Sequence, residues 1–80
     1  MRVYLIAYSV YKKTAKGNTK FDGVKTILVE NANSQSHAAS AAYEYMPEDG
    51  DILSITDLDF DTTIYADVPR IDAPTGKEIN

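Results

Sequence analysis

The sequence predicts an α+β fold: a three- or four-stranded, mainly antiparallel sheet with one helix packed on one face, in the order β-β-α-β-β. Three observations predict it. Val3 to Val10 is almost wholly apolar and rich in β-branched and aromatic residues, as a central strand buried on both faces requires. Ala38, Ala41, Ala42, Tyr45 and Met46 recur at three- and four-residue spacing, the stripe of a helix lying on a sheet. Short apolar runs, Ile52 to Leu58 and Thr62 to Val68, follow the helix and read as a third and a fourth strand.

The first two strands form a hairpin. Val24 to Glu30 carries Ile27, Leu28 and Val29, and Ala15-Lys16-Gly17-Asn18-Thr19 lies between it and the first strand. Gly and Asn tolerate positive φ, so this segment is a turn. Folding about Gly17 sets Val10 near Val24 and Ile6 near Leu28. The helix starts among Asn33, Ser34 and Ser36, whose side chains can accept from free backbone N–H groups. It runs from Ser34 to Met46, and Pro47 stops it. Glu48-Asp49-Gly50-Asp51 is a turn. A right-handed crossover through the helix places the third strand beside the first, giving the order 2-1-3 with the fourth strand at an edge. Residues 1–68 then make a single domain. Residues 69–80, with two prolines, a glycine and few apolar side chains, read as a flexible C-terminal tail.

Composition narrows the function. A chain of 80 residues has room for one thin core and no deep substrate pocket. The absence of cysteine removes disulfides and thiolate metal sites. No apolar run approaches the roughly 20 residues needed to cross a bilayer, and Met1 to Val10 lacks the pattern of a signal peptide. The expectation is a cytoplasmic protein with no membrane contact. The formal net charge of −4 conceals two opposed halves. Residues 1–25 hold Arg2, Lys12, Lys13, Lys16, Lys20 and Lys25 against Asp22 alone. Residues 44–72 hold nine acids against Arg70. Such a chain invites an electrostatic partner at either end, including head-to-tail pairing in a homo-oligomer.

Catalytic chemistry is poorly provided for. His37 is the single histidine; Ser40 lies one helical turn on, so a Ser–His couple is conceivable, but Ser36 adjoins it and sequence neighbours on a helix point apart. No glycine-framed nucleophile turn and no phosphate-cradling loop accompanies the four glycines. Asp57-Leu58-Asp59-Phe60-Asp61 matches the first acids of an EF-hand loop, but Thr62 and Val68 stand where Gly and Glu belong. The expectation is a non-enzymatic protein without metal, cofactor or small-molecule substrate.

Two binding surfaces remain. Asp57, Asp59 and Asp61 alternate, so an extended strand sets them on one face about 6.6 Å apart. That spacing is comparable to successive phosphates and suits the Arg and Lys donors of a nucleic-acid-binding protein. Asp51 and Asp67 extend this acidic face, and Phe60 or Tyr65 supplies an apolar anchor. Acids at a sheet edge also guard against aggregation. The alternative is a nucleic-acid interface on the hairpin, where Lys12, Lys13, Lys16, Lys20 and Lys25 are interleaved with Tyr11 and Phe21.

With its short single domain, lack of cysteine, hairpin-helix-strand order and acidic stretches at Glu48 to Asp51 and Asp57 to Asp61, the chain resembles the small acidic accessory proteins of bacteriophages and other mobile elements, including anti-CRISPR and anti-restriction inhibitors. The resemblance is one of format and covers Met1 to Val68. It implies a phage-type inhibitor or adaptor acting on a basic protein surface by nucleic-acid mimicry. No site residue follows from it, because these inhibitors share no motif.

Overall fold

The computed structural model describes residues 2–58 and 67–79. The fold is α+β, with one helix and an open, mixed five-stranded sheet among those residues. The elements are β1 (Arg2–Lys13), β2 (Thr19–Ala32), α1 (Gln35–Tyr45), β3 (Ile52–Leu58), β4 (Arg70–Asp72) and β5 (Lys77–Ile79). The sheet order is β3-β1-β2-β4-β5, so β3 lies beside β1 as the crossover rule requires.

The helix forms where the sequence places it. The Ser34 side chain caps it by accepting from the His37 N–H at 3.2 Å. At the other end Met46 is extended, and its N–H donates to the Ala42 carbonyl at 2.9 Å before Pro47 ends the turn. Ala38, Ala41 and Ala42 are buried against Tyr4, Ile6 and Tyr8 of β1, Ile27 and Val29 of β2, and Ile71 of β4. The small alanine side chains let the helix lie close to the sheet, and the aromatic and branched residues of the strands supply the volume. Gly50, buried beside this core, sets where β3 begins. A Cβ there would come within 2.7 Å of the Ser9 carbonyl oxygen.

The hairpin forms in a register one residue away from the expected one. Val10 faces Gly23 and Ile6 faces Ile27, while Val24 faces Ser9. Two causes combine. The tip closes between Thr14 and Asn18, with Thr14 N–H donating to the Asn18 carbonyl at 2.7 Å, so it centres on Lys16 rather than Gly17. The pairing then shifts between Val10 and Tyr11, where β2 carries Asp22 as an extra residue beside Gly23 at a φ of 122°. Such a bulge moves every later side chain to the other face. Val24 therefore stands away from the helix and is exposed.

The C-terminal part departs most from the sequence reading. Residues 62–66 of the expected fourth strand lie outside the described residues, and Asp67 and Val68 form a turn and a bend rather than strand. The expectation of a tail from residue 69 does not fit the sheet. β4 pairs with β2 in parallel, which makes the sheet mixed, and β5 pairs with β4. Ile71 is fully buried beside Val29, and the Leu28 N–H donates to the Pro69 carbonyl at 2.9 Å. Arg70 binds Glu30 across the same junction. The Tyr45 hydroxyl donates to Glu78 at 3.2 Å and ties β5 to the helix.

Asn31 fixes the bend at the end of this parallel pair. Its φ of 64° is left-handed, a conformation that asparagine tolerates better than most residues. Its side chain donates to Asp72 at 2.6 Å, and the Thr75 hydroxyl donates to the same carboxylate at 2.9 Å. These two donors hold the Asp72 carboxyl below the usual range. A lowered carboxyl pKa stabilises the fold above the unfolded value, and that contribution disappears as the pH falls below about 4. Asn31→Ala is expected to lose about 1 kcal/mol or more at pH 7 from the left-handed backbone alone. The variant should also show a weaker loss of stability between pH 5 and pH 3 than the parent in urea titrations followed by circular dichroism.

Candidate nucleic-acid interface

The sequence placed two candidate surfaces at opposite ends of the charge distribution, and the structure treats them differently. β3 pairs with β1 only as far as Tyr8, and β4 meets β2 only from Leu28. Val10–Val24 therefore has no third strand beside it among the described residues. It forms a two-stranded arm along the long axis of a molecule measuring 45 × 23 × 22 Å. A strand of fourteen residues rises about 45 Å, so the hairpin alone accounts for that length.

The arm sorts its side chains by face. Tyr11 lies opposite Phe21, with ring centroids 5.9 Å apart and planes at 75°. Lys13 and Thr19 share their side, as does Val24 beyond the bulge. Phe21 is 55% exposed and Val24 54%, so an apolar strip faces water here. On the reverse side Lys12 lies directly opposite Lys20. Like charges in that position repel. Asp22, in the bulge, is 3.7 Å from the Lys12 ammonium and offsets this in part. Lys16 occupies the exposed turn. Lys25 sits lower, opposite Tyr8 on the helix side of the sheet, and so is separated from the aromatic pair. Six of the seven sequence-selected residues, Tyr11, Lys12, Lys13, Lys16, Lys20 and Phe21, are thus brought together at the end of the arm.

The three described acidic candidates, Asp51, Asp57 and Asp67, are not gathered in the same way. Asp59, Phe60, Asp61 and Tyr65 lie outside the described residues. Asp57, opposite Tyr4, is ion-paired with Arg2, and both side chains are exposed, which makes the pair a weak contributor. Asp51 is exposed at the other end of β3, about 20 Å away along the strand. Its N–H donates to the Ser9 hydroxyl at 2.9 Å, and its carbonyl accepts from the Ser9 N–H at 2.9 Å. Asp67 is exposed in the turn before β4.

His37 has a local task. Its Nδ1 accepts from the Asn33 N–H at 3.0 Å, which fixes the loop entering the helix. That ring nitrogen is engaged by backbone, and no hydrogen bond among the described residues joins His37 to Ser36 or Ser40. No group of three metal-ligating side chains occurs among the described residues. No helix among them is long and apolar enough to cross a membrane.

The sequence reading listed the arm residues but missed how the arm arranges them. Strand alternation separates the aromatic face from the Lys12–Lys20 face, and the Asp22-Gly23 bulge, whose one sequence signal is that dipeptide, sets Val24 on the aromatic side. Comparison with family models, with curated proteins and with solved structures finds no match for the chain.

Proposed function

We propose that this is a non-enzymatic binding module that holds single-stranded nucleic acid on its projecting β-arm. The observation that carries the reading is the two-sided arm: a half-buried Tyr11 against an exposed Phe21 on one face, and Lys12 facing Lys20 on the other. Aromatic side chains on a basic ribbon suit unstacked bases, because every base has a π-face and the phosphates follow the lysines. The Lys12–Lys20 opposition gives a further reason. A polyanion relieves a repulsion that the free protein retains. Glu48, Asp49 and Asp51 are exposed near the base of the arm, so the ligand is confined to the outer part. The test is fluorescence anisotropy with a labelled oligothymidylate at low salt. Tyr11→Ala combined with Phe21→Ala is expected to weaken binding by roughly thirtyfold or more, from 1–3 kcal/mol per lost stacking contact. Unchanged affinity in that double variant would remove the stacking role.

A second reading keeps the phage-type inhibitor or adaptor, with an acidic face docking on a basic protein surface of the kind that binds nucleic acid. The exposed acids Asp49, Asp51 and Asp57 on and before β3 favour it. It ranks below the arm because Asp51 and Asp57 stand at opposite ends of the strand and Arg2 already holds Asp57. Charge of this kind gives fast association more than affinity.

A further inference from the structure

We propose that the arm enters a nucleic-acid fork, the point where a duplex opens into two single strands, and holds one strand on each of its faces. The inference rests on the reading of the arm as a single-strand site and names the form of ligand that fits it. Tyr11 and Phe21 share their face with Lys13 and Thr19, whereas Lys12 and Lys20 oppose each other on the reverse face. The two side-chain layers of a strand pair stand roughly 10 Å apart. A base and its own phosphate lie closer together than that. Nucleotides stacked on Phe21 and Tyr11 therefore bring their phosphates to Lys13, and Lys12 and Lys20 take phosphates from elsewhere. A single strand supplies them only by turning round the ribbon. On the β1 side that turn passes the exposed acids Glu48, Asp49 and Asp51, whose loop is tied to the arm's base by the Ser9 N–H donating to the Asp51 carbonyl. Like charge repels phosphate there. Two strands diverging from a duplex reach the two faces without that turn.

The end of the arm has the form of a wedge. It is two strands wide, with backbones about 4.8 Å apart. Its tip is closed by the Gly17 N–H donating to the Thr14 carbonyl at 3.0 Å, beside the Thr14 bond to Asn18. Ala15, Gly17 and Asn18 are small and exposed, so the tip can meet the last base pair while Lys16 reaches its phosphates. The two faces at this end are also set by described residues alone. Leu58 pairs with Val3 and Pro69 bonds Leu28, about 26 Å and 23 Å along the strands from the Tyr11–Phe21 pair. The chain from Leu58 to Pro69 extends to about 38 Å at most, less than the path of about 49 Å out to that pair and back.

The experiment uses the intact chain and fluorescein-labelled probes read by anisotropy at low salt. One probe is a fork with two unpaired thymidylate tails. The others are a single thymidylate strand as long as both tails together, and the blunt duplex of the fork's stem. The fork is expected to bind roughly tenfold or more tighter than either, because the stem holds the second strand near its face once the first is bound. Lys12→Gln with Lys20→Gln, with the fold checked by circular dichroism, should weaken the fork more than the single strand and remove most of that preference. Tyr11→Ala with Phe21→Ala should weaken both. A fork bound no tighter than the single strand overturns this inference while the single-strand reading stands. So does a blunt duplex bound as tightly as the fork, or a preference for the fork that survives loss of Lys12 and Lys20. No binding of any probe overturns both readings of the arm.

Discussion

Replacing Ile71 with alanine is expected to lower the unfolding free energy by about 3 kcal/mol. The side chain is fully buried in the face of the sheet that the helix covers, among Val29 and the helix alanines. Small alanines cannot move far enough to fill the space left by the lost carbons, so the cavity persists and adds to the lost transfer energy. A domain of this size has little stability in reserve. The variant should therefore unfold at a much lower urea concentration, with an unchanged slope, when followed by circular dichroism. A midpoint equal to the parent's would mean that β4 and β5 are not part of the cooperative core.

The second large effect concerns binding. Replacing Lys12, Lys13, Lys16 and Lys20 together with glutamine is expected to weaken single-strand binding by roughly several hundredfold near 0.1 M salt. Each neutralised phosphate contributes about −0.7 to the slope of log affinity against log salt for a single strand. Four lysines thus give the parent a slope near −3, and the variant's slope should approach zero. Folding should survive the change. All four side chains are exposed, and removing the Lys12–Lys20 opposition takes away a repulsion. The variant thereby separates loss of ligand contact from loss of structure. A variant that keeps the parent's affinity and slope would place any nucleic-acid contact elsewhere on the chain.

How much of this was legible in the sequence depended on the range of the interaction. The helix was legible nearly to the residue, because Ser34, the alanine stripe and Pro47 all act within a turn or two. The first three strands and their order were legible from apolar runs and the crossover rule. The register was not, because the turn centres on Lys16 and a bulge at Asp22-Gly23 then resets the pairing, and neither leaves much trace in composition. β4 and β5 were missed for a different reason. Three-residue strands cannot show alternation, and Ile71 is the one strongly apolar residue in β4. Its pairing with β2, more than forty residues earlier, is a long-range event that local pattern does not report. The basic candidates were legible because charge and aromatics cluster in sequence as well as in space. Alternation and the local excess of acids mark Asp57, Asp59 and Asp61 in the sequence, but neither reports that Arg2, far away in sequence, holds Asp57.

The most direct test of the proposed role is to titrate the isotopically labelled protein with a short oligothymidylate and follow its backbone amide signals by NMR. The largest shifts are expected on Tyr11 to Lys13, Lys16 and Lys20 to Phe21, at the end of the arm. Signals of Ile52 to Leu58 should stay in place. Shifts confined to β3 or to the helix, with the arm silent, would contradict the proposed role.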